Sequence, residues 1–301
     1  MSDLAIIIPA YKETFLEEAI QSISSQTCKD FTLYVGDDCS PYPLKNIVDN
    51  YTGKIKIIYH RFETNIGGKD LVAQWERCIA LSKNEKWIWL FSDDDVMEPN
   101  CVASFYKAIK ETSSYYDVYH FNVNIIDEHS KVKKVPPSYP QVLDSYQFYK
   151  KKMLGKIISL VVENVFSRNI YEKTGGFQNF DLAWGSDTAT WIKFSSDKGM
   201  YTIPKSKILW RESSQNISPN HSTPIVIRKT NALLDFFQWS FNYFQNKSIN
   251  CYWVSYQAFI IRCRHFKKYI SQYQLNTLIK QFGKIHYKSY LNFITKLLIK
   301  L

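Results

Sequence analysis

The chain has 301 residues, of which 45% are hydrophobic, 16% aromatic and 22% charged. That length supports one large domain or a domain with an extension, and that apolar content excludes a disordered chain. The net charge of +10 is carried by the C-terminal part. No Asp or Glu follows Asp235, whereas Lys247, Arg262, Arg264, Lys267, Lys268, Lys280, Lys284, Lys288, Lys296 and Lys300 do; removing those ten from 38 basic residues leaves 28, equal to the 28 acidic ones. A charge split of this kind points to two jobs in one chain.

Strands and helices alternate through the first 120 residues. Leu4–Pro9 is a short apolar run, read as a buried strand. Thr14 and Glu17 fit a capping box, with Leu16, Ala19, Ile20 and Ile23 at helical spacing behind it. Phe31–Gly36 is a second strand, ending in Asp37-Asp38, and Lys54–His60 a third. Gly68–Leu81 reads as a helix. Lys86–Phe91 is a fourth strand and runs into Ser92-Asp93-Asp94-Asp95. Pro99 suits the first turn of the next helix, whose inner face is Val102, Phe105, Tyr106 and Ile109. This alternation predicts an α/β fold with a mostly parallel, Rossmann-like sheet covered by helices on both faces. Ligands of such sheets bind beyond the carboxyl ends of the strands. The polar clusters Ala10-Tyr11-Lys12, Asp37-Asp38 and Asp93–Asp95 all fall there.

The middle is less regular. Tyr116–Ile126, Val161–Phe166 and Tyr201–Trp210 suit strands, and Trp184–Lys198 suits a helix stopped by Gly199. From about Ser222 the pattern is helical to the end. Six cysteines show no CxxC spacing, so neither a zinc module nor a dense disulfide framework is expected, and the thiols are read as reduced. No run of about 18 apolar residues is present to span a bilayer. Asp3 sits where a signal peptide needs basic residues, and Leu4–Ile8 is too short for its apolar core. The expected location is therefore cytoplasmic.

Three carboxylates in one loop repel each other unless a cation sits among them. A hard divalent ion, Mn2+ or Mg2+, prefers such oxygen ligands and bridges to phosphate oxygens. The competing reading is an acid-decorated helix start. Asn65-Ile66-Gly67-Gly68-Lys69 precedes a helix, where glycines permit close backbone approach and helix starts bind phosphate. It is not a Walker A loop. Asp187 opens a helix, and its plain alternative is an N-cap.

Pro9-Ala10-Tyr11, Gly36-Asp37-Asp38-Cys39-Ser40, Asn65-Ile66-Gly67, Ser92-Asp93-Asp94-Asp95, Gly175-Gly176-Phe177 and Gly185-Ser186-Asp187 occur in the order and rough spacing of glycosyltransferase family 2. The resemblance covers residues 1 to about 220. It implies a GT-A fold, a nucleotide-sugar donor (often UDP-linked), a divalent metal at a DxD motif, and inversion at the anomeric carbon. By resemblance, Pro9, Ala10, Tyr11, Glu13, Asp38, Gly67, Lys69, Asp93 and Asp94 lie at the donor nucleotide. Arg211 and Ser218 resemble a late loop closing on the diphosphate. Asp94 and Asp95 are the metal candidates, because Ser92 takes the first Asp position of the family's pattern. Asp187 resembles the catalytic base, with Ser186 replacing the usual Glu before it. After Arg211 come Glu212, Ser213 and Ser214 in place of the family's His, and His221 is read as a surface residue.

The expected division is a catalytic domain over 1–220, with a nucleotide-sugar half to about 115 and an acceptor half over 116–220. A basic, aromatic helical extension follows over 221–301. The expected reaction is transfer of a hexosyl or N-acetylhexosaminyl group to an acceptor hydroxyl on a saccharide or lipid-linked saccharide, in cell-surface polysaccharide biosynthesis. From Tyr287 on, apolar residues form a helical stripe opposite Lys288, Lys296 and Lys300. With the patch from Arg262 to Lys268, that stripe suits an anionic membrane interface on the cytoplasmic side, packing on the catalytic domain, or a homodimer contact. The rival functions are a nucleotidyltransferase, which needs a Gly-rich basic loop that Pro9–Glu13 lacks, and a catalytically inactive membrane-associated scaffold. A nucleic-acid binder is disfavoured by the acidic site.

Overall fold

The computed structural model describes residues 3–213, 220–285 and 299. Its centre is a ten-stranded sheet. In chain order the strands are β1 (Leu4–Ala10), β2 (Thr32–Asp37), β3 (Ile57–Arg61), β4 (Trp87–Leu90), β5 (Val96–Met97), β6 (Val118–Ile126), β7 (Val132–Lys134), β8 (Val142–Leu143), β9 (Asn164–Ser167) and β10 (Met200–Arg211). The order across the sheet is β3-β2-β1-β4-β9-β6-β10-β5, with β7 added to β6 and β8 to β10. Strands β1 to β4, β6 and β10 run one way; β9 runs against both of its neighbours. The sheet is thus parallel across its first half and mixed across its second, a reversal that apolar runs do not encode.

Strands β1, β2 and β4 are buried on both faces, which is why they read as continuous apolar runs rather than alternating ones. Because they are parallel, their carboxyl ends lie on one edge. That edge carries Ala10, Asp37 and the chain leaving Leu90 toward Ser92. Trp89 fixes the last of these: it stacks on Phe121 at 4.9 Å and donates from Nε1 to the Val162 carbonyl at 2.7 Å.

The helices are α1 (Leu16–Ser24), α2 (Leu44–Asp49), α3 (Leu71–Ile79), α4 (Cys101–Glu111), α5 (Ser145–Met153), α6 (Arg168–Lys173), α7 (Ser186–Phe194), α8 (Thr223–Gln245), α9 (Tyr252–Phe266) and α10 (Gln272–Ile285). One core holds Leu4, Ile6 and Ile8 against α1 and α4; the other holds Ala5, Ile7 and Ile88 against α3, α7 and the three last helices. Phe236, Phe259 and Phe282 of α8 to α10 belong to this second core. Each such fully buried ring contributes about 1.5–3 kcal/mol by leaving water. The described part of the helical extension therefore packs on α5, α7 and the turn before α7, in the helical layer over one face of the sheet.

Several expectations shift in detail. Helix α1 starts at Leu16 with Phe15, rather than Thr14, at the N-cap position, and the Phe15 side chain makes no cap hydrogen bond. The third strand starts at Ile57 rather than Lys54, and the helix after Gly68 begins at Leu71, capped by Asp70 accepting from Ala73 N–H at 2.9 Å. Helices α2, α5 and α6 and the short β5, β7 and β8 have no counterpart in the sequence reading. The apolar stripe from Tyr287 lies outside the described residues; Ile299 beside it is buried, and its carbonyl accepts from Lys267.

Candidate active site

A cleft of about 670 Å3 opens at the carboxyl edge of the sheet. Pro9, Ala10 and Tyr11 line it from β1, Asp38 and Gly67 from the next two crossings, and Asp93, Asp94 and Asp95 from the end of β4. Asp187 of α7 lines the same cleft. These predicted residues are far apart in sequence and meet because parallel strands share one edge.

The acidic loop is tightly held. Asp93 Oδ2 accepts from the backbone N–H groups of Tyr11 and Lys12 at 3.0 and 2.9 Å. Asp94 Oδ1 accepts from Ser92 Oγ at 2.5 Å, so the serine that replaces the family's first Asp orients the second. Lys12 Nζ lies 3.3 Å from Asp93 and 2.5 Å from Asp94. Burial pushes the Lys12 ammonium down, but these two carboxylates outweigh it and hold it above the ordinary lysine value. Asp95 Oδ1 accepts from Arg211 N–H at 2.7 Å, while its Oδ2 is buried without a partner. Burial first, and Asp94 next to it, push the Asp95 carboxyl far up; burial likewise raises Asp93 against the pull of Lys12.

A divalent ion fits this chemistry. Asp95 offers a buried, unpartnered carboxylate oxygen, and Lys12 already supplies a positive charge to its neighbours. Among the described residues no three His, Cys, Asp or Glu side chains form a closed metal cage. An ion held by Asp94 and Asp95 would take its remaining ligands from phosphate and water, as Mg2+ and Mn2+ do.

Asp38 is buried, and its carboxylate is fully engaged. Oδ1 accepts from Ile66 N–H and Arg77, and Oδ2 from Gly67 N–H and the Asn65 side chain. Four donors match the lone-pair capacity of a carboxylate. Asp38 thereby pins the 65–67 loop against the cleft. Gly67 is required there, because a Cβ would stand 2.6 Å from Asp38 Oδ2.

Asp187 follows Gly185, which adopts φ +94, a left-handed conformation suited to glycine. A Cβ on Gly185 would also meet the Phe236 ring of α8 at 3.1 Å. Asp187 is therefore not the N-cap; it stands on the second residue of the helix. Its Oδ1 accepts from Thr188 N–H at 2.6 Å, and its Oδ2 accepts no hydrogen bond among the described residues. Burial raises the Asp187 carboxyl above its ordinary value, with Lys152 opposing. A half-buried carboxylate with a raised proton affinity and a free oxygen on a cleft is suited to take a proton.

Other expected residues lie away from the cleft lining. Glu13 is exposed and does not line the cleft. Lys69 is exposed on a separate cavity beside Asp70, Asp181 and Asp235. Arg211 is fully buried and is not among the residues that line the cleft; its guanidinium donates to the Asp94 carbonyl, the Asp127 carbonyl, Ser130 and Glu18. In this position it braces the acidic loop. Ser218 lies outside the described residues. His221 is exposed as expected and stacks on Tyr269 at 4.4 Å.

Sequence reasoning missed four lining residues: Lys152 of α5, Trp184, Trp210 and Arg262 of α9. Nothing local marks them. Arg262 was assigned to a surface patch with Arg264, yet it is half-buried and lines the cleft. Glu163, fully buried behind the cleft, was also missed.

Comparisons with known proteins agree with this architecture. Poly(ribitol-phosphate) β-N-acetylglucosaminyltransferase TarS of Staphylococcus aureus is 28% identical over 130 residues, covering 42% of this chain and 21% of that protein. The match thus spans about a fifth of the length of that relative. The crystal structure of S. aureus TarS 1–349 in complex with UDP-GlcNAc superimposes with a TM-score of 0.60 at 14% identity, over 98% of this chain and 89% of that one. GalNAc-T7 with UDP, GalNAc and Mn2+ gives a TM-score of 0.56 at 11% identity, over 77% and 47%. Both likenesses confirm the GT-A fold. The description "Glycosyl transferase family 2" matches residues 5–175, a stretch that includes the Asp triplet and stops before Asp187. Since that stretch is more than half of the chain, the protein belongs to glycosyl transferase family 2.

Proposed function

We propose that this protein is an inverting glycosyltransferase that moves a hexosyl or N-acetylhexosaminyl group from a UDP-sugar to an acceptor hydroxyl, in assembly of a cell-surface polymer. The observation that carries the reading is the single cleft joining the Asp93–Asp95 loop to Asp187. The TarS relative supports the donor class, since its name and its UDP-GlcNAc complex give that donor for TarS.

Each residue then has a task. Pro9, Ala10, Tyr11 and the Asp38-pinned Gly67 loop form the wall for the nucleoside. Lys12 stands beside Asp93 and Asp94, where diphosphate charge builds as the donor bond breaks. A divalent ion on Asp94 and Asp95 would supply Lewis-acid stabilisation of that diphosphate. Asp187 Oδ2 takes the proton of the acceptor hydroxyl as that oxygen bonds to the anomeric carbon. The nucleoside diphosphate departs from the opposite face with the electron pair of its C–O bond. No covalent link to the protein is formed.

The proposed division is a catalytic unit over 1–220 and a basic helical unit over 221–301 packed on it. Arg264 and Lys268 remain exposed on α9 and the turn after it, so peripheral contact with an anionic membrane on the cytoplasmic side is part of the proposal. Among the described residues no helix is long and apolar enough to cross a membrane.

The test is a panel of UDP-, GDP- and dTDP-sugars, scored for slow hydrolysis with Mn2+, Mg2+ or EDTA. Metal-dependent release of UDP is expected. Silence across the panel, together with no metal-dependent UDP binding by calorimetry, would sink the transferase reading.

A further inference from the structure

The cleft has a basic wall opposite its acidic loop. Lys152 comes from α5 and Arg262 from α9, and the two converge beside Asp187. Lys152 Nζ donates to the Ser159 carbonyl at 2.7 Å, which leaves two of its three ammonium donors unspent. Arg262 makes no hydrogen bond or ion pair among the described residues, so its planar fork of five donors is unspent. Burial pushes the proton affinity of both groups down, and Arg262 pushes Lys152 down further. The carboxylates that act on Lys152 are Asp187 and Glu163, and burial keeps Glu163 protonated up to about pH 7. The two cations share this side of the cleft with Asp187 and with the apolar side chains of Trp184, Leu233 and Phe236.

Half-burying two like charges beside a single catalytic carboxylate is costly, and an anion of the right shape relieves the cost. A guanidinium fork beside an ammonium matches the tetrahedral oxygens of phosphate. The acidic loop of the same cleft repels any anion that is not itself metal-bound, so the basic wall is the place for a second phosphate. We propose that Lys152 and Arg262 form an anion subsite on the acceptor side of the cleft. It holds a phosphate group of a phosphate-bearing acceptor and thereby sets the acceptor hydroxyl against Asp187. The assignment of this wall to the acceptor rests on the transferase reading; the anion site itself does not. The helical extension is then a part of the active site, because α9 supplies Arg262.

The experiment is calorimetric titration of the full chain, saturated with UDP and Mn2+ so that the donor side is filled. The probes are sn-glycerol 3-phosphate, glycerol and geranyl diphosphate, against wild type, R262Q, R262K and K152Q. Glycerol 3-phosphate is expected to bind wild type, to weaken by about tenfold or more in R262Q and K152Q, and to recover in part in R262K. Glycerol is expected to show no such dependence. Tighter binding of geranyl diphosphate would assign the phosphate to a lipid-linked acceptor, and preference for glycerol 3-phosphate to a polyol-phosphate chain. No binding of either phosphate to wild type, or equal binding to wild type and R262Q, overturns the proposal. So does a result in which R262Q loses UDP instead, since that would place the arginine on the donor diphosphate. A wild type that fails to bind UDP while still binding glycerol 3-phosphate through Arg262 would defeat the transferase reading and leave the anion site standing.

Discussion

The two walls of the cleft are built by different means. The donor wall comes from the ends of β1, β2 and β4, within residues 9 to 95, and its residues are placed by the register of neighbouring parallel strands. The opposite wall is assembled from α5, the turn before α7, and α8 and α9, spread from Lys152 to Arg262. Each strand of the donor wall is legible as a short apolar run of its own, whereas helix packing around a shared core depends on residues from the whole chain. The donor wall is therefore the part of the cleft that the sequence pattern discloses, and the acceptor wall the part that only the packed helices disclose.

The largest effect that can break this division is at Asp187, which belongs to the acceptor wall by origin and to the chemistry by role. An Asp187→Asn variant is expected to keep UDP binding by calorimetry and to lose transfer by about 10²–10⁴-fold, the usual contribution of a positioned base. Near-normal turnover would remove Asp187 from that role and leave the acceptor wall with binding alone. The next effect concerns the brace behind the donor wall. Arg211→Met removes a fully buried guanidinium that pairs with Glu18 and serves the Asp94 carbonyl. A loss of about 2–4 kcal/mol in urea unfolding is expected, because the Asp94 and Asp127 carbonyls lose their donor while Glu18 is left to water, with the acidic loop losing its hold on metal-dependent UDP binding. An unchanged midpoint would show that Arg211 does not brace the loop.

The same contrast explains what was legible in the sequence. Asp93–Asp95, Tyr11 and Asp38 follow apolar runs that read as buried strands, so their shared edge followed from the pattern, and Gly67 stood out in the loop before a helix. Asp187 was found through its helix start after Gly185. Lys152 sits in the run Lys150-Lys151-Lys152, in which only the tertiary placement of α5 singles out one lysine. Arg262 looked like part of a surface patch because α9 is apolar on nearly every side and gives no clear inner face to a periodicity reading. Glu13 and Lys69 sit next to residues of the cleft in sequence, but point elsewhere because adjacent loop residues need not share a side. The reversal of β9 depends on its partners, which no single strand's pattern names.

A smaller effect sharpens the picture of the acceptor wall's foundation. Glu163 is fully buried; its Oε1 accepts from Ser159 Oγ and Leu160 N–H, while its Oε2 has no partner. Burial raises its carboxyl from 4.5 to about 7. A folded-state value above the unfolded one means that stability from this group is fully present below pH 4.5 and is lost as the pH rises through about 7. Glu163→Gln, which keeps the Oε1 acceptor and cannot ionise, is expected to be more stable than wild type at pH 8 by up to about 3 kcal/mol. The two are expected to converge near pH 4.5. Equal urea midpoints at both pH values would show that Glu163 ionises in the fold at no cost.

The smallest effect tests whether the basic wall speaks to the base. Lys152 holds the Asp187 carboxyl lower than burial alone would set it. The base must be ionised to act, so activity falls as pH drops through the folded value of Asp187, and that value is already above the ordinary aspartate range. Lys152→Gln removes the favourable charge, raises the Asp187 carboxyl further and moves the acid limb of the pH profile upward. Donor hydrolysis, with water as the acceptor, reads this limb without any acceptor phosphate in the assay. A limb that moves up in K152Q shows that the residue held to bind the acceptor also sets the proton affinity of the base. A limb that stays in place confines Lys152 to binding and makes the two functions of the acceptor wall separable.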